Sequence, residues 1–151
     1  MTAPTTGPVA PTGNALFDGL MSGIRWTSKT LTYSFPSSDG QFDGVADGTY
    51  GTYRDVALVS AAQREAVRQI LEGTGAQGGA FWTGIADVTR LAFAEVNGFG
   101  QGANNAAGDI RVTQATLEAG VGGVGGYPAS GNPDAGDVWM SGCLLYTSRR
   151  G

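Results

Sequence analysis

The sequence predicts a single α+β domain built on a mixed β-sheet with at least one parallel pair of strands. A well-marked helix that begins near Ser60 lies between two segments with the alternation of strands, and such crossovers join parallel strands. Two similar stretches, 108–113 and 136–140, each begin with the turn-forming pair Gly-Asp and continue with residues that favour extended backbone. We expect both stretches to be strands of one central sheet.

The N-terminal part of the chain predicts a leader, a short helix and a strand. Residues 1–13 are rich in Pro, Thr, Ala and Gly and predict a flexible leader. Asn14 can cap a helix whose apolar residues recur at helical spacing: Leu16, Phe17, Leu20, Met21 and Ile24. Residues 31–35 then alternate, and Pro36 ends a strand with one apolar face, formed by Leu31, Tyr33 and Phe35.

The middle of the chain carries the clearest helix. Residues 37–55 predict a loop, because they are rich in Gly, Asp, Ser and Tyr. Ser60 followed by Gln63 matches a capping box, and Gly73 suits the position after the last helical turn. The apolar stripe of this helix is predicted to face the core and consists of Ala62, Ala66, Val67, Ile70 and Leu71.

The C-terminal half predicts strands separated by glycine-rich segments. Residues 91–96 predict one strand, and the two Gly-Asp stretches predict two more. In the first of these, Ile110 and Val112 lie on the face opposite Asp109, Arg111 and Thr113. Residues 114–119 fit either a helical turn or a continuing strand. Residues 120–132 predict a glycine-rich loop.

Composition excludes several classes of function. The net charge of −4 and the pI near 4.6 argue against a nucleic-acid partner, which requires a basic surface. No basic amphipathic stretch indicates a membrane surface, and residues 1–13 lack the basic and apolar regions of a signal peptide. The sequence has no histidine, which excludes His-based catalysis and His-rich metal sites within these residues.

The remaining chemical candidates each have a structural alternative, and we favour the structural one. Residues 120–125 match G-x-G-x-x-G, but Tyr127-Pro128 follows where a nucleotide site needs a helix, so a loop is favoured. Three carboxylates suit calcium, yet they also suit turns and strand starts: Asp109, Asp134 and Asp137. Glu95 is interpreted as solvent-facing rather than a general base, and Cys143 has no histidine to activate it. The tryptophans are assigned to packing: Trp26, Trp82 and Trp139.

The motifs, taken in order, resemble the N-terminal part of the catalytic domain of serralysin-type zinc metalloproteases, which are metzincins. The resemblance begins with Asn-Ala-Leu-Phe-Asp-Gly-Leu-Met-Ser-Gly-Ile-Arg-Trp at 14–26 and Leu-Thr-Tyr-Ser-Phe-Pro at 31–36. It continues through the capped helix, the strand 91–96, Gly-Asp-Ile-Arg at 108–111, Tyr127-Pro128 and Gly-Asp-Val-Trp at 136–139. It therefore covers residues 14–140.

The resemblance implies a twisted, mixed, mostly parallel five-stranded sheet with one long helix packed on it. In this family the next helix carries H-E-x-x-H-x-x-G-x-x-H, whose histidines bind zinc while the glutamate activates the bound water. Because the sequence has no histidine, we expect residues 14–142 to be an incomplete catalytic domain, truncated before the zinc-binding helix. We expect the 151-residue chain to have no catalytic residue or metal ligand of its own and no zinc-dependent activity on casein.

The resemblance also implies where substrate binds and where the enzyme works. An edge strand along the cleft, formed by Val124, Gly125, Gly126 and Tyr127, would hold protein or peptide substrates by main-chain hydrogen bonds. The implied enzyme is a secreted, monomeric bacterial endopeptidase. Its C-terminal secretion signal and any calcium-binding repeats would lie downstream.

Residues 143–151 do not resemble the family, and we interpret them as a non-native tail translated from sequencing-adaptor sequence or from an assembly error. Two other functions stay open at this point. The first is a non-catalytic binding or inhibitor-like module that keeps the sheet. The second is an unrelated α+β interaction domain.

Overall fold

A computed structural model describes residues 6–18, 23–37, 54–73, 84–96, 108–129 and 135–142. Its strands are β1 (Thr6–Pro8), β2 (Ile24–Trp26), β3 (Thr30–Ser34), β4 (Arg54–Ala57), β5 (Ala92–Glu95), β6 (Ile110–Thr116), β7 (Gly123–Gly125) and β8 (Asp137–Ser141). Its helices are α1 (Ala15–Asp18), α2 (Ala61–Glu72) and α3 (Ile85–Val88). None of these helices is long and apolar enough to span a membrane.

The fold is organised around a six-stranded sheet with the order β5–β3–β6–β8–β7, in which β4 also pairs with β6. The β3–β5, β3–β6 and β6–β8 pairs are parallel, and β7 runs antiparallel to β8. The predicted mixed, mostly parallel sheet is confirmed, and the two Gly-Asp strands are the neighbours β6 and β8. The undecided segment after residue 113 continues as strand to Thr116.

Helix α2 connects the parallel neighbours β3 and β5 and begins where the sequence predicts. The Ser60 hydroxyl accepts the Gln63 backbone N–H at 3.3 Å, and the Gln63 side chain accepts the Ser60 N–H at 2.7 Å. Gly73 follows the last turn with φ at 85°, a left-handed conformation that favours glycine. The capping box and the glycine stop are therefore confirmed.

The face that α2 turns toward the sheet differs from the predicted apolar stripe. Leu71 is buried, but Ala62 and Ala66 are exposed and Ile70 is 55% exposed. The inward positions include Arg68 and Glu72, which bind polar partners on the sheet. These tertiary contacts rotate the helix away from the orientation that its apolar residues alone predict.

The two faces of the sheet bury different kinds of residue. The face under α2 buries mainly apolar side chains, among them Leu31, Tyr33 and Val112. The opposite face carries Trp139 and Ala115 together with all five polar residues that are buried in the described ranges: Ser34, Arg111, Thr113, Asp137 and Ser141. The Thr113 hydroxyl lies 2.9 Å from the Ala57 carbonyl and 3.1 Å from the Pro36 carbonyl, which ties β4 and the segment that follows β3 to β6.

Three further elements differ from the sequence-based expectation. Thr6–Pro8, within the predicted leader, pairs as β1 with β2. Ile24 lies in β2 and is 43% exposed, so its assignment to the first helix is wrong; α1 is described only over Ala15–Asp18. Residues 54–57, partly assigned to a loop, form β4, which adds a sixth strand to the expected five and pairs irregularly with β6.

Candidate functional site

Among the strands that the structure describes, the sheet ends at the glycine-rich strand β7, the segment that the resemblance assigns to the substrate cleft. Val124 and Gly125 lie in β7, Gly126 directly follows it, and Tyr127 is 72% exposed. Within the described residues, β8 is the only strand that pairs with β7. The four residues predicted to form the edge thus lie at, or directly after, the terminal strand of the sheet.

The pairing of β7 with β8 determines which backbone groups of β7 point away from the sheet. Gly126 donates its N–H to the Asp137 carbonyl at 2.7 Å, and Ser141 donates to the Gly122 carbonyl at 2.9 Å. Because hydrogen-bonded and non-hydrogen-bonded pairs alternate along antiparallel strands, Val124 bonds its registered partner Trp139. The N–H and C=O groups of Gly123 and Gly125 therefore face outward, and both residues are exposed.

The outer edge of β7 also lacks side chains at the positions that carry these outward groups. A Cβ at Gly125 would meet only the Asp137 carbonyl oxygen, at an ordinary 3.9 Å, so steric crowding does not require glycine there. An extended peptide can approach such an edge closely and add a further strand through main-chain hydrogen bonds.

Beside this edge lies a buried ion pair between registered neighbours of β6 and β8. Arg111 donates to Asp137 in a bidentate arrangement, Nε to Oδ1 at 2.5 Å and Nη2 to Oδ2 at 2.8 Å. The two side chains are 10% and 1% exposed. Bidentate geometry satisfies both carboxylate oxygens, which a charged pair removed from water requires.

A second polar cluster lies between α2 and the sheet. The Tyr33 hydroxyl donates to Glu72, and burial, followed by this hydrogen bond, raises the pKa of Tyr33. Arg68 donates to both carboxylate oxygens of Glu95, at 2.6 and 3.0 Å, and lies over the Phe35 ring. The hydrogen bond from Arg68 lowers the pKa of Glu95. A carboxylate held ionised by arginine is a weak base, which argues against Glu95 as a general base. The residue is also exposed, in agreement with its interpretation as a solvent-facing side chain.

The other candidates from the sequence have structural roles or lie elsewhere. The Asp109 carboxylate accepts the Thr32 N–H at 2.7 Å and its hydroxyl at 3.0 Å, and Asp137 is held by Arg111. Residues 123–125 form the strand β7 rather than the loop that their glycine content predicts, and no helix follows them within the described ranges. Trp139 is buried as predicted. Three candidates lie outside the described residues: Trp82, Asp134 and Cys143.

Comparison with protein-family models and with curated protein sequences finds no match for the chain. The residues that the structure describes also do not fit a catalytic zinc ion. The sequence contains no histidine, and the described residues contain no group of three or more Cys, Asp or Glu placed to hold a metal. No catalytic step is therefore assigned to them.

Proposed function

We propose that residues 14–142 form the sheet-bearing part of the catalytic domain of a secreted, serralysin-type zinc metalloendopeptidase. In this proposal β7 is the edge to which an extended protein or peptide substrate binds. In this proposal, residues outside 14–142 bind the zinc ion and activate the water that cleaves the peptide bond.

The observation that carries the proposal is the outward set of backbone groups on Gly123 and Gly125 at the end of a mostly parallel sheet. The glycine segment that the resemblance assigns to the cleft is an antiparallel terminal strand, and β8 beside it is the strand after which the zinc-binding helix is expected. A substrate held along β7 would therefore lie close to the start of that helix.

Peptide binding tests the proposal directly. The probe is a set of fluorescein-labelled, Val- and Thr-rich extended decapeptides, and the readout is fluorescence anisotropy with the 151-residue chain. Gly125→Pro removes one outward N–H, and an edge strand tolerates proline. One lost hydrogen bond predicts an affinity about fivefold lower. Gly125→Ala keeps the N–H and serves as the matched control, with an expected change below about twofold.

The proposal fails if the native chain binds none of these peptides, or if Gly125→Pro binds as well as Gly125→Ala. Circular dichroism of both variants shows whether the fold is kept.

A non-catalytic binding module is the second candidate, favoured by the lack of histidine. It would use the same edge without cleavage. The genomic sequence downstream of Met140 separates the two. An in-frame H-E-x-x-H supports the protease, whereas a genuine stop codon supports the binding module or an unrelated interaction domain.

A further inference from the structure

We propose that the buried Arg111–Asp137 ion pair is a positioning device for β7, which it keeps in the register that turns Gly123 and Gly125 outward. The inference about register depends on the geometry of the sheet. Its consequence for peptide binding depends on the proposed function.

The first step concerns what a buried ion pair contributes. Removing two charges from water offsets most of their attraction, so such pairs add little net stability, and specification of register is their best-attested use. Arg111 and Asp137 are direct partners in the parallel β6–β8 ladder. A one-residue slip of β8 would move Asp137 to the other face of the sheet and leave Arg111 buried without that carboxylate.

The second step concerns β7, which has little means of selecting its own register. Two of its three residues are glycine, and strands rich in glycine specify register weakly. The C-terminal end of β7 is instead held by hydrogen bonds to Asp137 of β8 and to Gly136, the residue before β8. Gly126 donates its N–H to the Asp137 carbonyl at 2.7 Å and accepts the Gly136 N–H at 3.2 Å.

Asp137 therefore has two roles at one position. Its carboxylate is fixed by Arg111, and its carbonyl receives the hydrogen bond that anchors the end of β7. If β7 shifted by one residue along β8, the groups of Val124 would turn outward and those of Gly123 and Gly125 inward. By holding Asp137 in place, the ion pair fixes the carbonyl that anchors the end of β7, and this favours the register in which Gly123 and Gly125 face outward.

Amide hydrogen exchange, followed by NMR on the full 151-residue chain without peptide, tests this inference. The reference amide is that of Val96, which donates to the Tyr33 carbonyl on the far side of the sheet. In Arg111→Lys, which cannot form the bidentate pair, and in the apolar double variant Arg111→Met with Asp137→Leu, we expect Gly126 to exchange at least tenfold faster relative to Val96.

Arg25→Lys changes an exposed arginine of β2 and should leave the ratio unchanged. If the ion pair only added global stability, its removal would speed the exchange of both amides equally, because both would exchange through complete unfolding. An unchanged ratio of the Gly126 and Val96 exchange rates would therefore overturn the inference. If the double variant does not fold, Arg111→Lys decides the question. If the variants change the exchange ratio but the native chain binds no peptide, the proposed function is refuted and the role of the ion pair stands.

Discussion

Replacing Tyr33 with phenylalanine tests the polar cluster beneath α2. Tyr33 is fully buried at the centre of β3, and its hydroxyl donates to the half-buried Glu72. Hydrogen bonds to charged groups contribute about 1.5–3 kcal/mol. Water can reach Glu72 after the substitution, so we expect the lower value, about 1.5 kcal/mol of unfolding free energy. For a chain of this size, that loss lowers the melting temperature by roughly 3–6 °C.

The same substitution should change the response to alkali. Because the folded state raises the pKa of Tyr33 above its ordinary value of 10.0, folding favours the neutral phenol. The associated stability is complete below pH 10 and declines above it, as the unfolded chain ionises first. The difference between the native protein and Tyr33→Phe should therefore shrink above pH 10.

Urea unfolding monitored by circular dichroism across pH 7–11 measures both effects. Tyr127→Phe is the control: this side chain is 72% exposed, so the unfolding free energy should change by less than about 0.5 kcal/mol. Equal stability of Tyr33→Phe and the native protein at pH 7, or an equal decline of both above pH 10, would refute the reasoning.

Two further predictions concern α2 and its contact with β5. Ser60→Ala removes the cap of α2 and should lower the unfolding free energy by about 1 kcal/mol in urea titrations; a loss below about 0.3 kcal/mol would contradict the role of the capping box. Glu95→Gln should remove a stabilisation of about 0.5 kcal/mol, since the Arg68–Glu95 pair is partly exposed. Because folding lowers the pKa of Glu95 from 4.5, this stabilisation is present above pH 4.5 and lost at lower pH. The two proteins should therefore converge in stability as the solution is acidified, and a constant difference down to pH 2 would argue against the assignment.

Local signals in the sequence predict the parts of the fold that depend on neighbouring residues. The capping box at Ser60, the alternation around Leu31 and Tyr33, and the two Gly-Asp turns each act within a few residues. They are sufficient to predict α2 and β3 and to place β6 and β8 as strands of one sheet. The crossover rule then predicts that β3 and β5 are parallel.

Elements that depend on distant partners could not be predicted in the same way. Arg68 and Glu72 set the inward face of α2, because their partners, Glu95 and Tyr33, lie on strands of the sheet. The apolar periodicity of the helix therefore predicts the wrong orientation. Strand β4 contains Asp55 at a positive φ of 57° and pairs irregularly, which removes the alternation that marks a strand. For β7, glycine composition indicates a loop, and the edge-strand assignment came from the family resemblance.

The pairing of β3 with β6, which lies far along the chain, has a consequence for how the protein is made. Thr32 of this strand bonds Asp109, 77 positions later in the sequence. At the usual rate of synthesis, about 5–20 residues per second, roughly 4–15 s separate the synthesis of Thr32 from that of Asp109. During that interval β3 has no neighbour on its β6 side and the sheet is incomplete, which leaves the nascent chain exposed to aggregation.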